Sequence, residues 1–133
     1  MASIYDQYHH LTSREQQFVK AHPIDAMTID EDTKKAFQET TRMFGFNGHN
    51  DKTDAFRHCF WSALLARDIG YAKALDFTTA HESSPTNPAD EKAMDLHNNS
   101  VGLLIGKAGM SDVTVSTQCM AALNGGRLKI LVK

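Results

Sequence analysis

Apolar residues recur along this chain at three- and four-residue spacing, the period of amphipathic helices, and residues that favour turns separate the stretches. Thr12, followed three residues later by Glu15, has the form of a capping box in which each side chain satisfies the other's free backbone N–H. It opens a first helix that must end before Pro23, because the residue preceding a proline is biased away from helical dihedrals. A second helix is expected from about Asp30 to a left-handed stop at Gly45, with Ala36, Phe37, Thr40, Met43 and Phe44 on its apolar face. After the turn-rich loop GFNGHND, Asp51 or Thr53 caps a third helix that ends at Gly70. Its apolar residues Ala55, Phe56, Cys59, Phe60, Trp61, Ala63, Leu64, Leu65 and Ile69 cover far more than one stripe, which marks a central helix buried on most sides.

A fourth helix covers about Tyr71 to Glu82. Asn87 and Pro88 suit the cap and first turn of a fifth that reaches roughly Lys107, and Ser111 caps a sixth that stops at Gly125 and Gly126. The tail RLKILVK alternates weakly and is expected to be a short strand or extended segment, paired with another part of the chain or with a partner. The predicted fold is therefore mainly α, a compact bundle of five to six helices around the third.

Composition narrows this picture. At 133 residues the chain has the size of one domain spanning residues 1–133, and 41% hydrophobic with 23% charged residues is a globular balance. A net charge of −2 with scattered basic residues gives no broad nucleic-acid surface, although an enzyme that holds one phosphate with an arginine and a metal remains open. No stretch approaches the ~20 apolar residues of a membrane span, so stable membrane insertion is not expected. MASIYDQYHH has no signal-peptide pattern, so export requires a carrier or a secretion machine. Cys59 and Cys119 lie in apolar helical patterns without CxxC spacing and read as buried thiols. Cys59 also lies more than one turn inside its helix, a poor place for a reactive thiolate, which argues against a thiol hydrolase.

The polar residues carry the functional signal. Asp54, Arg57, His58, Trp61 and Ser62 share one face of the third helix, and a helix so apolar elsewhere has reason to use that face. His81 falls on the apolar stripe of the fourth helix, with Glu82 beside it. On the fifth helix, His97 and Asn98 interrupt a seam of Met94, Val101, Leu104 and Ile105, close to Asp95 and Asn99. Unpaired burial would cost about 1–3 kcal/mol for each such group, so partners are required. Gly102, one turn beyond Asn98, leaves room for another backbone or a substrate. Three helices thus each aim a histidine and a carboxylate inward, and the simplest explanation is a shared site. The bland alternative is a structural hydrogen-bond network.

Two mechanisms suit the shared site. His58, His81 and His97, with Asp54, Glu82 or Asp95, can bind a divalent metal such as zinc that activates water, although no tight motif such as HExxH is present. Alternatively, Glu82 or a histidine held by a carboxylate acts as general base without metal, and Arg57 stabilises developing negative charge. In either case Trp61, Ser62 and Asn99 are placed to touch substrate.

The strings DAFRHCFWSALLARDIG, AHE and MDLHNNSVG, in that order between about Asn47 and Lys129, resemble an uncharacterised domain family at the C-terminal ends of bacterial secreted and polymorphic-toxin proteins, including wall-associated and Rhs-like ones. The motif positions are Asp54, Arg57, His58, Trp61, His81, Glu82, Asp95, His97, Asn98, Asn99 and Gly102; residues before Asn47 carry no part of the likeness. The resemblance implies an antibacterial effector, made in the bacterial cytoplasm, delivered into target cells by a larger carrier or secretion machinery, and neutralised in the producer by a cognate immunity protein. It implies no particular reaction. A hydrolase acting on peptidoglycan or phospholipid is the leading expectation, with a metal-dependent nuclease and a non-catalytic helical binding module as alternatives.

Overall fold

The computed structural model describes residues 11–132, which form six helices and, among those residues, no strand. They are α1 (Ser13–Ala21), α2 (Pro23–Phe44), α3 (Lys52–Ile69), α4 (Tyr71–His81), α5 (Ala89–Gly106) and α6 (Asp112–Asn124). As expected, the bundle is built around the third helix: α3 packs against α2, α4, α5 and α6, and Ala55, Phe56, Cys59, Leu64 and Leu65 are wholly enclosed. No helix among the described residues is long and apolar enough to cross a membrane.

The capping box at Thr12 is present in full, with Glu15 N donating to Thr12 Oγ1 at 3.1 Å and Thr12 N donating to Glu15 Oε1 at 2.9 Å. Thr12 Oγ1 also donates to Ala80 O at 2.8 Å, which fastens α1 to α4. The second helix starts seven residues earlier than the expected Asp30, at Pro23, where a missing N–H costs nothing in the first turn. Its buried seam is Ile29, Asp32, Ala36 and Thr40. Two members are polar: Thr40 satisfies itself by donating to Ala36 O, and Asp32 keeps its proton, with burial pushing it up to about 8 beside Asp68. Phe37, expected inside, is 49% exposed and carries the Arg57 guanidinium 4.9 Å from its ring centre.

Asp51, not Thr53, caps α3, accepting from Thr53 N and Asp54 N. α5 begins at Ala89 behind Pro88; Asn87 does not cap it but turns its amide back to donate to Glu82 O at 3.3 Å. α5 is also rotated from the expected seam. Met94, Asp95, Asn98, Asn99, Gly102, Leu103 and Gly106 are buried, whereas Leu104 is exposed. The reason is a backbone contact: a Cβ added at Gly102 would lie 2.1 Å from Cys59 O, and one at Gly106 would lie 2.1 Å from Ala63 O. Only glycine permits α3 and α5 to touch this closely. The small residues therefore face α3, and the bulky ones turn aside.

Among the described residues the tail forms no strand, bends at Leu128 and Leu131, and is pinned. Asn98 Nδ2 donates to Lys129 O at 2.9 Å and Lys129 N donates to Asn98 Oδ1 at 2.7 Å, while Leu131 N and Val132 N both donate to Asn50 O. Cys59 and Cys119 are free, enclosed thiols whose sulfurs lie 3.2 Å apart and join α3 to α6.

Candidate functional site

His58 stands at the centre of the polar face of α3, its side chain 14% exposed. One ring nitrogen, Nδ1, lies 3.2 Å from Asn99 Oδ1. Asn99 is oriented in turn: its Nδ2 donates to the buried Glu82 Oε2 at 3.2 Å, and its Oδ1 accepts from Ser62 Oγ at 3.0 Å. The amide nitrogen is committed to a carboxylate, so Oδ1 faces His58 and Nδ1 must carry the proton that bonds to it. The other nitrogen, Nε2, then presents its lone pair, or in the charged ring its second proton, to Asp54 Oδ1 at 3.2 Å and Asp95 Oδ1 at 3.4 Å.

Those separations fit a bound cation. Ligands about 2.0–2.1 Å from a tetrahedral ion stand roughly 3.3–3.4 Å from one another. One donor atom each of Asp54, His58 and Asp95 lies within 4.8 Å of the other two, so this group could hold a metal ion. Asp95 Oδ1 is fully enclosed and, although it faces His58 Nε2 at 3.4 Å, has no hydrogen-bond partner among the described residues. The Asn99 contact to Nδ1 is the outer-shell bond that metal-ligating imidazoles ordinarily make.

The charges are tightly balanced. Burial pushes the His58 ring down, but the Asp54 hydrogen bond and the charges of Asp95, Asp54 and Glu82 outweigh it and hold the ring above its ordinary value. Burial likewise raises Asp54, yet His58, the Asn50 N–H and Arg57 together keep its carboxyl below the usual range. For Asp95 burial wins, reinforced by Glu82 and Asp54, and its carboxyl is pushed up to about 6 despite the attraction of His58 and His81.

A loop closes the site. Asn50, at a left-handed φ of 61°, donates its N–H to Asp54 Oδ2 at 2.7 Å and its side-chain amide to Glu91 Oε1 at 2.9 Å. His49 reaches the same Glu91 oxygen at 2.6 Å. Arg57 fastens this loop, donating to Asp54 Oδ1 at 2.7 Å, Gly48 O at 3.1 Å and Asn47 Oδ1 at 3.1 Å. Its role is therefore to position Asp54 and the loop, to which three of its donors are committed.

Of the residues expected in the site, Asp54, Arg57, His58, Ser62, Glu82, Asp95 and Asn99 converge. Ser62 and Asn99 are buried, so they position His58 where contact with substrate was expected. Trp61 is a buried wall, its indole N–H donating to Thr33 Oγ1 at 3.1 Å. His81 stands beside the centre, its ring 6.4 Å from that of His58 and 5.1 Å from Trp61. Burial lowers its affinity for a proton, but the hydrogen bond and charge of Glu15, then Glu82 and Asp95, raise it overall.

His97 and Asn98 do not join. His97 is exposed and bonds Arg127 O at 2.8 Å, and Asn98 holds the tail. The expected metal set of His58, His81 and His97 is thereby replaced by one imidazole and two carboxylates. Four residues were not anticipated in the site: Glu15, His49, Asn50 and Glu91. Glu15 had been accounted for as a capping residue alone, and the loop residues as turn formers; only the proximity of His49 to the motif-bearing helix offered a hint.

Geometry and chemistry thus define a small helical domain with an enclosed imidazole and carboxylate centre of the kind that binds a cation or moves a proton. The chain belongs to the family described as a domain of unknown function, DUF6973, whose model matches residues 16–126. The match begins well before Asn47, so α2 and the last six of the nine residues of α1 belong to the family domain, while Glu15 lies just outside the matched stretch. No solved structure matches the chain.

Proposed function

We propose that this domain is a metal-assisted hydrolase and the toxic part of an antibacterial effector, acting on a neutral linkage in the target-cell envelope, with peptidoglycan as the substrate class. The observation that carries this reading is the enclosed, unpartnered Asp95 Oδ1 facing His58 Nε2 and Asp54 at ligand spacing. Asp54, His58 and Asp95 would hold a divalent ion such as zinc, which would supply a polarised water at neutral pH. The effector context rests on the ordered motifs around Asp54, His81 and Asp95. With it come delivery by a carrier or secretion machinery and a cognate immunity protein.

A neutral bond is favoured over a phosphodiester because Arg57, the arginine of this site, donates to Asp54 Oδ1, Gly48 O and Asn47 Oδ1 and is thereby held to the loop instead of being turned toward a phosphate. That weighs against nucleic acid and, less strongly, against phospholipid.

The test combines binding, activity and toxicity. Protein purified without a histidine tag is expected to bind one zinc ion by calorimetry and to release soluble fragments from dye-labelled peptidoglycan, with loss of release after chelation. Periplasmic expression is expected to lyse the host while cytoplasmic expression leaves DNA and RNA intact. Absence of metal binding together with chelator-insensitive activity removes the metal, and harmlessness in both compartments removes the effector reading.

A further inference from the structure

We propose that His81, held by Glu15, is the proton-accepting side chain of this site, which makes α1 part of the functional centre and not merely a packing element. The inference deepens the hydrolase reading above and rests on it.

Glu15 is 2% exposed, and both of its oxygens are committed: Oε1 accepts from Thr12 N, and Oε2 lies 2.9 Å from His81 Nδ1. Nδ1 must therefore be the protonated nitrogen, leaving the Nε2 lone pair without a hydrogen bond among the described residues. The ring is fixed on its other side by the edge of Trp61, itself anchored to Thr33. An imidazole whose proton is held by a carboxylate and whose second nitrogen is free is the arrangement of a general base with its orienting group. Accessibility separates the two histidines of the site. The His81 side chain is 44% exposed and that of His58 only 14%. Of the two, His81 is the one that a solvent molecule or substrate reaches more freely, and its ring centre lies 6.4 Å from that of His58.

A fastening role alone does not account for Glu15. α1 is already tied to α4 by Thr12 Oγ1 on Ala80 O and by the Phe18 and Phe77 rings, 5.2 Å apart. An apolar residue in place of Glu15 would dock α1 without burying a carboxylate. The groups facing His81 are Glu15 from α1, His58 from α3, Glu82 after α4 and Asp95 from α5; only Glu15 forms a close hydrogen bond with it.

The step itself balances without a co-reactant. As a water oxygen bonds to the scissile carbonyl carbon, His81 Nε2 takes a water proton and the carbonyl π pair moves to oxygen. When that pair returns, the bond to the leaving group breaks, and the imidazolium gives its proton to the departing atom.

Glu15→Gln provides a selective test, because glutamine at this position preserves the capping box while removing the charge. With dye-labelled peptidoglycan, E15Q is expected to lower kcat by about ten- to a hundred-fold with little change in KM, and to move the acidic limb of the pH profile to lower pH. Glu15→Asp is expected to recover part of the rate, His81→Gln to lose at least as much as E15Q, and zinc binding by calorimetry to stay within about two-fold of wild type in all three. Wild-type kcat and pH profile in E15Q, with an active and metal-sensitive wild-type protein, overturn this inference alone. Failure of the wild-type protein to release any fragment overturns the hydrolase reading and this inference with it.

Discussion

Asp95 is held by the fold against its own ionisation. Its carboxyl is raised from an ordinary 3.8 to about 6, so folding favours the protonated form. The stability this contributes is complete below the unfolded value and is lost as pH rises through about 6. In metal-free protein at neutral pH, Asp95→Asn is therefore expected to raise stability by roughly 1–2 kcal/mol, measured by urea denaturation, while zinc binding falls at least ten-fold. Equal or lower stability in the variant argues that Asp95 belongs to an ordinary network. At this scale the sequence was informative where polar residues interrupt an apolar helix: Asp54, His58, Glu82 and Asp95 stood out and meet in space. It misled at His97 and Asn98. A shift of one residue around α5 brings Asn99 to His58 and turns His97 outward, and periodicity alone does not resolve so small a rotation.

That rotation is decided between elements, at the seam of α3 and α5. Gly102 was legible as a place of close approach, but the approaching group, the carbonyl of Cys59, was not. The same seam sets the separation of His58 on α3 from Asp95 on α5. Gly102→Ala forces a Cβ into that carbonyl and is expected to cost about 2–4 kcal/mol, read from denaturant midpoints, and to abolish zinc binding by parting the ligands. The caps of α1 and α6 and the stop at Gly45 followed from local chemistry and were readable in advance. The start of α2, from Pro23 to Ile29, was not: Ile24 and Met27 point to solvent, so no apolar stripe marks these turns. Nor was the pairing of the buried Asp32 with Asp68 on α3, which no local pattern announces.

Across the whole molecule, the tail ties the end of the chain to the centre of function. Leu131 and Val132 donate to Asn50 O, and Asn50 in turn holds Asp54. Ending the chain at Gly126 is expected to leave the helical content almost unchanged, to speed hydrogen exchange at the Asn50 amide by about ten-fold or more, and to weaken zinc binding several-fold. Unchanged exchange at Asn50 shows that the strap carries no tension to the site. The weak alternation of RLKILVK was legible as a segment in need of a partner, but that partner proved to be a pair of asparagines and not another strand.

The touching thiols of Cys59 and Cys119 make sulfur chemistry a reporter of opening. Enclosed as they are, they meet an oxidant only while the chain is open. Protein refolded in an oxidising buffer is expected to become two hydrogens lighter, stapled from α3 to α6, whereas protein placed in the same buffer already folded keeps both thiols. Intact mass therefore tells in which state the oxidant was met.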